Sequence, residues 1–177
     1  LSIDDKIKNK DVWKIFDTYI RDVGFISHQI ESFTNFIEQV VTNWVTTATI
    51  PVGIDNEICF TDLKFAAPFL VEKDFRRTPL YPNIAFSRNC TYESNVTVTV
   101  VVKKKGIIVS THKDILLYKQ PVMVCSPLCN LSSIPVHDRP TIGECVNDIG
   151  GYFIIGGAAK YVVSNERTEF DKPYIYK

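Results

Sequence analysis

The chain has 177 residues, with 20 Lys and Arg against 20 Asp and Glu, so its formal net charge at neutral pH is zero. That balance excludes the chain-wide electrostatic footprint of a nonspecific nucleic-acid binder, and an apolar content of 45% with 23% charged residues excludes a disordered segment. The length suffices for one core burying roughly 70% of the unfolded surface, no run approaches the ~18 apolar residues of a membrane span, and Leu1–Lys6 shows no signal-peptide core.

One domain over residues 1–177 is therefore expected, in an intracellular chain with no membrane partner. Five cysteines, Cys59, Cys90, Cys125, Cys129 and Cys145, are odd in number and scattered, which suits reduced thiols. Cys125 and Cys129 with His137 and Cys145 make only a weak zinc pattern, because Pro127 and irregular spacing interrupt it. No metal ligand is assigned. Asn89-Cys-Thr91, Asn95-Val-Thr97 and Asn130-Leu-Ser132 match the glycosylation sequon, but carry no weight without a signal peptide.

In chain order, Asp11 is a candidate helix cap, and Val12, Ile15, Phe16, Tyr19 and Ile20 recur at helical spacing until Gly24 supplies a stop. A second helical stretch runs from Phe25 to Trp44. It carries Phe33, Phe36, Ile37, Val40, Val41 and Trp44 on one wide apolar stripe that needs a partner surface. Ser32 offers a second cap inside it, so one long helix and two consecutive helices both fit. His28 reads as a polar-face residue.

After Val45 the pattern turns to strand: Thr46–Ile54 is broken by Pro51 and Gly53, Ile58–Phe65 alternates, and Pro68 ends it or places it at an edge. Phe75–Pro82 reads as a connecting loop, since two X-Pro steps exclude regular helix. Asn95–Val102 is the strongest strand signal, with Val96, Val98 and Val100 on one face and Thr97 and Thr99 on the other. Lys103–Gly106 turns it into Ile107–Ser110. A further strand spans Asp114–Val124, interrupted at Pro121, and Ser132–Ile142 is loop. Arg76-Arg77 and Lys103-Lys104-Lys105 are the dense basic clusters, and both read as solvated faces. Helices followed by strands predict an α+β fold, with amino-terminal helices packed on a mostly antiparallel sheet.

The last third centres on Gly143–Arg167. Asp148–Gly151 has turn composition, Tyr152–Ile155 is a short bulky run, Gly156-Gly157 suits a two-residue hairpin loop, and Lys160–Ser164 reads as the returning strand. Gly151 and Gly156 stand at phosphate-loop spacing, but Gly157 occupies the place of the essential Lys. The ribbon ends in a polar patch at Ser164, Asn165, Glu166 and Arg167, which by its chemistry alone is solvated surface.

Four stretches, in order, resemble the amino-terminal part of the second-largest subunit of multisubunit DNA-dependent RNA polymerases, whose bacterial counterpart is the beta subunit. Gly24–Ile37 is similar to the family's Gly-Leu-Val-x-Gln-x-Leu-x-Ser-Phe-Asn-x-Phe-Ile. Leu80-Tyr81-Pro82 with Arg88–Tyr92 resembles its Leu-Tyr-Pro and Arg-x-x-x-Leu-Thr-Tyr, and Lys119–Val124 its Arg-x-Pro-Ile-Met-Leu. Gly143–Lys160 resembles Gly-Glu-Cys-x-x-Asp-x-Gly-Gly-Tyr-Phe-Ile-Ile-Asn-Gly-x-Glu-Lys. Departures stand at Cys125, where relatives carry a basic residue, at Gly156-Gly157 for Asn-Gly, and at Ala158-Ala159 for Ser-Glu. Those at Gly156-Gly157 and Ala158-Ala159 suggest an outlying branch, read as a viral one.

The resemblance implies most of the protrusion, a lobe beside the active-centre cleft, within a much longer chain. It implies phosphodiester formation at a magnesium centre whose aspartates lie on the largest subunit, so that no catalytic or metal-binding residue is expected here. Implied partners are the largest and other polymerase subunits, the DNA template, the RNA–DNA hybrid and initiation factors. The location would be the nucleus for a cellular eukaryotic enzyme, and host cytoplasm or virion for a viral one. In bacterial relatives the strand end matching Val163–Asn165 lies beside nascent RNA, which singles out Ser164, Asn165 and Arg167 as nucleic-acid contacts, with Glu166 turned away by strand alternation. A surface pair of Arg167 with Glu169 or Asp171 is the competing role. Tyr174-Ile175-Tyr176 is expected to be a strand leading out, and the isolated chain is expected to self-associate through uncovered edges. The alternative to a polymerase part is a stand-alone beta-rich binding or scaffold domain.

Overall fold

The computed structural model describes residues 9–53, 55–163 and 165–175. Helix α1 (Asn9–Asp22) ends where Gly24 takes a φ of +90°. Asp11 lies inside the helix rather than at its cap. The apolar residues of α1 recur as expected, yet Val12, Trp13, Ile15, Phe16 and Tyr19 keep 46 to 67% of their surface exposed. Among the described residues nothing covers that stripe.

The second stretch is one continuous helical rod: α2 (Ser27–Asn35), a π-helical segment (Phe36–Val41) and α3 (Thr42–Thr47). Ser32 lies within α2 and caps nothing. The π segment has a geometric cause. The rod buries Phe33, Ile37, Val41 and Val45, a strict four-residue step, and in an α-helix of about 3.6 residues per turn each such step drifts by ~40°. A wider turn with i→i+5 bonding takes back that drift and keeps the four side chains in line. The Thr42 hydroxyl donates to the Ile37 carbonyl at 3.0 Å across the widened turn. Phe36, Val40 and Trp44, read as part of the same stripe, stand 44, 53 and 72% exposed on another face.

The strands follow as β1 (Thr49–Val52), β2 (Asn56–Phe65), a small hairpin of β3 (Phe69–Val71) and β4 (Arg77–Pro79), and then β5 (Glu93–Lys104) and β6 (Ile107–Pro121). Helix continues to Thr47, so strand begins later than expected. Between β4 and β5 sits a short helix, α4 (Pro82–Ser87), which the two X-Pro steps concealed. Pro82 occupies its first turn, where no backbone N–H is needed. The main sheet has the order β1-β2-β5-β6, all antiparallel. Lys105 and Gly106, at φ +50° and +79°, form the two-residue turn into β6. What read as two strands is the single β6, kinked where Asp114 adopts a φ of +54°. In β5, Ser94, Val96 and Val98 are buried. A register shift between Val98 and Val100 then passes burial to Thr99 and Val101.

Three clusters form the core. Val41 and Val45 pack on Val98 with Phe60, Leu63 and Tyr118, fixing α3 to the sheet. Phe33, Ile37 and Met123 meet Phe65, Leu128 and Phe153. The largest cluster gathers Leu80, Ala85, Tyr92, Val122, Val124, Leu131, Tyr152 and Ile154 at the end of the sheet away from the Lys105–Gly106 turn. The α+β class and the mostly antiparallel sheet agree with the sequence pattern.

Candidate nucleic-acid interface

The segment that carries the candidate contacts emerges from the largest core cluster, and its recognisable residues build its base. A 3-10 helix (Val136–Ile142) replaces the expected loop and ends at Gly143, whose φ is +80°. The buried Glu144 carboxylate accepts the Asn83 N–H at 2.8 Å at the start of α4, while the Asn83 side chain donates to the Ile142 carbonyl at 2.9 Å. Burial pushes the Glu144 carboxyl upward, opposed by the Asn83 hydrogen bond. Asp148 accepts the Gly150 N–H at 2.9 Å and the Tyr152 hydroxyl at 2.6 Å. Gly151 must be Gly: its φ is +78° and a Cβ there would lie 1.9 Å from Ile26 Cγ2.

Backbone bonds then stitch the segment in place, from Tyr92 N–H to the Ile154 carbonyl at 2.9 Å and from Val124 N–H to the Tyr152 carbonyl at 2.8 Å. The Tyr92 hydroxyl accepts the Asn130 N–H at 2.9 Å and lies 3.3 Å from Cys129 Sγ. Burial, first, and the neighbouring Cys129 hold that phenol far above its ordinary range. Cys129 is thus packed against Tyr92, Cys125 is half-buried with its thiol raised by burial, and His137 and Cys145 are exposed. Among the described residues no group of three or more His, Cys, Asp or Glu could hold a metal ion.

From this base projects the hairpin β7 (Phe153–Ile155) and β8 (Ala158–Lys160), with Gly156 and Gly157 at φ +56° and +74° in the two-residue loop. The returning strand stops at Lys160, four residues short of the expected Ser164. Beyond it the chain is held by side chains. The Tyr161 ring lies 5.4 Å from that of Tyr152, and the Gln29 amide donates to the Val162 carbonyl at 3.2 Å. Gln29 belongs to α2, 133 positions away. Sequence reading missed this tether, because no local pattern announces it.

Ser164 lies outside the described residues. Asn165, Glu166 and Arg167 are all exposed on irregular backbone. Strand alternation therefore does not orient Glu166. Glu169 is paired with Lys172 and its N–H donates to the Tyr174 hydroxyl at 2.7 Å. Among the described residues Arg167 has no ion pair. Residues 172–175 are irregular rather than strand, and Tyr176 lies outside the described residues.

Residues 24–169 match the family model described as RNA polymerase beta subunit. The chain is 28% identical to DNA-directed RNA polymerase II subunit 2 of Arabidopsis thaliana over 98% of its own length and 17% of that protein. It is 29% identical to a DNA-directed RNA polymerase II subunit RPB2 homolog of Invertebrate iridescent virus 3, over 92% of this chain and 15% of the relative. Against the polymerase subunit Rpo2N of Methanothermobacter thermautotrophicus the identity is 24%, over 94% of this chain and 33% of that one. The chain spans well under two thirds of the length of each of these relatives.

Proposed function

The chain belongs to the RNA polymerase beta subunit family, and on that premise we propose that residues 1–177 form most of the protrusion of the second-largest subunit of a DNA-directed RNA polymerase. The observation that carries the proposal is the match of residues 24–169, most of the chain, to the model of that family. In this reading the protein contributes a wall beside the active-centre cleft, and its partners are the largest subunit, the remaining subunits, the DNA template, the RNA–DNA hybrid and initiation factors. A viral relative among the similar proteins accords with a viral enzyme working in host cytoplasm or virion, and a plant relative with a nuclear one.

Magnesium would activate the attacking oxygen and stabilise the leaving group of the polymerisation reaction. Among the described residues no group of three or more His, Cys, Asp or Glu fits such a site. Asp148 is committed to Gly150 and Tyr152, and Glu144 to Asn83. The metal ligands are assigned to the largest subunit.

Within the wall, the role of Ser164, Asn165 and Arg167 is to track a nucleic-acid backbone. An amide both donates and accepts, and a guanidinium that has no carboxylate partner among the described residues can bind phosphate through two N–H groups. Such contacts position a strand without reading its bases, as transcription of any sequence requires. In the assembled polymerase, Arg167→Ala should weaken short hybrids and raise abortive release at low salt, with the difference shrinking as salt rises. Unchanged abortive-product ratios at low salt would assign Arg167 to plain surface.

A further inference from the structure

The turn between β3 and β4 lies on a different element from the β8 exit and holds an aromatic side chain that the fold does not use. Phe75 is 87% exposed, the highest among aromatic side chains of the described residues. Its backbone sits at φ +62°, a region that is a true outlier for a bulky residue and comfortable for Gly or Asn. Strain without packing is what a side chain aimed at something outside the chain would show.

The turn is also stiff. Phe75 N–H donates to the Glu72 carbonyl and Glu72 N–H to the Arg76 carbonyl, both at 2.9 Å. The Asp74 carboxylate accepts the Arg76 N–H at 3.2 Å and holds Arg76 Nε at 3.0 Å. Below it, Val71 pairs with Arg77 and Leu70 with Thr78. Phe75 is therefore presented by a preset scaffold, which lowers the ordering cost of any contact it makes.

The turn around Phe75 carries Lys73, Arg76 and Arg77 against Glu72 and Asp74, one net positive charge. Lys73 and Arg76 flank Phe75, both exposed, and Arg77 lies with its guanidinium 5.0 Å above the Phe69 ring. Of the nearby carboxylates, Asp74 is taken by Arg76, and Glu72 by Arg88 at 2.8 Å. A protein partner that swallowed Phe75 in an apolar pocket would have to desolvate these flanking charges. A nucleic-acid strand offers a base face for the ring and a phosphate for Lys73 at the same time, and the base can be of any identity.

We propose that the β3–β4 turn is a contact for single-stranded nucleic acid, with Phe75 stacked on an unpaired base and Lys73 on a flanking phosphate. A duplex, whose bases are already stacked, would gain only the phosphate contact. The assignment is independent of the Asn165–Arg167 contact and stands or falls without it.

The test is fluorescence anisotropy of labelled 12-mer oligo(dT) and oligo(A) RNA, at low salt, with the 177-residue chain. Phe75→Gly should bind about tenfold or more weakly, from the loss of one stacked base. Its thermal midpoint should nonetheless rise, because Gly relieves the left-handed backbone, so misfolding cannot mimic the result. Phe75→Trp should hold affinity within about twofold. Lys73→Gln should lower the slope of log affinity against log salt by about 0.7, one single-strand phosphate contact. Wild-type affinity in Phe75→Gly, absence of binding by the wild-type chain, equal binding of a blunt duplex, or displacement of the oligonucleotide by a polyglutamate peptide of equal charge would each overturn the proposal.

Discussion

Tyr92, Val122, Val124 and Ile154 have lost all contact with solvent, whereas Ile107, Ile108 and Val109, beside the Lys105–Gly106 turn of the main sheet, remain 60 to 72% exposed. Both sets are β-forming or aromatic residue types, so residue type does not separate them. Closure does. Around Tyr92, three separate stretches of chain are tied by backbone bonds at 2.8 to 3.0 Å, and the Tyr92, Asn130 and Asp148 side chains add bonds to nearby backbone groups. The β5–β6 arm is paired by β2 along its inner side as far as Lys104, but β6 is an edge strand with no neighbour on its outer side among the described residues. The residues that make the chain recognisable lie mostly in the first region. Motif strength there reports packing constraints, and surface roles must be sought elsewhere.

The comparison is tested most severely at Gly151. An added Cβ meets Ile26 Cγ2 at 1.9 Å and also demands a φ of +78°. Gly151→Ala should cost about 3 kcal/mol or more in urea denaturation, the sum of overpacking and left-handed strain. Ile26→Ala in the same chain should restore the steric part and leave the backbone part, so the pair should be strongly non-additive. Additive losses would mean that the two segments do not press on one another.

Tyr92→Phe comes next in size. The ring stays, but the Asn130 N–H loses the acceptor it has at 2.9 Å. An unsatisfied buried donor costs roughly 1–3 kcal/mol. A loss below about 0.5 kcal/mol would show that water reaches the site, and the contrast with the arm would weaken.

How much of this was legible depended on whether a feature is periodic or closed by distant contacts. The Gly24 break, the helical rod, β2 and β5 follow from spacing alone. Spacing could not say which apolar stripe of the rod is covered, since Phe36, Val40 and Trp44 recur as regularly as Phe33, Ile37 and Val41. Helix α4 was hidden because Pro82 reads as a breaker, although at a first-turn position it breaks nothing. At the candidate interface, the tight Gly156-Gly157 loop was readable, and the choice of Ser164, Asn165 and Arg167 came from family resemblance. The path past Lys160 was not readable, because it is set by Tyr152 and Gln29 rather than by a ladder.

Glu144 gives a smaller effect, visible only along the pH axis. Its carboxyl is raised chiefly by burial, the Asn83 bond opposing, with Asp148 adding to the rise and Arg139 reducing it. A folded pKa above the unfolded one means that the folded state holds the proton more tightly. The stability it contributes is complete below the unfolded pKa and is lost as pH rises through the folded one. Glu144→Gln keeps an acceptor for Asn83 N–H and removes the titration. Wild-type stability should fall across the upper carboxylate range while the variant stays level there, as read by urea midpoints at stepped pH. Parallel profiles would place Glu144 in a water-like environment.

The smallest expected effect lies on the arm. Ile108 is 60% exposed and stands opposite Lys103 in the β5–β6 register. Replacing it with Glu gives up little buried surface. It also sets an opposite charge across from Lys103, a cross-strand pair worth roughly 0.2–1 kcal/mol. The two changes nearly cancel, and Ile108→Glu should leave the urea midpoint within about 0.5 kcal/mol of the parent, the range typical of open surface. The same substitution at Val98, 1% exposed against Val41 and Val45, would strand a carboxylate in the core and should prevent folding. If Ile108→Glu instead costs more than about 1 kcal/mol, the arm is packed against something in solution, and the distinction between a closed region and an open one fails at the place where it is drawn most sharply.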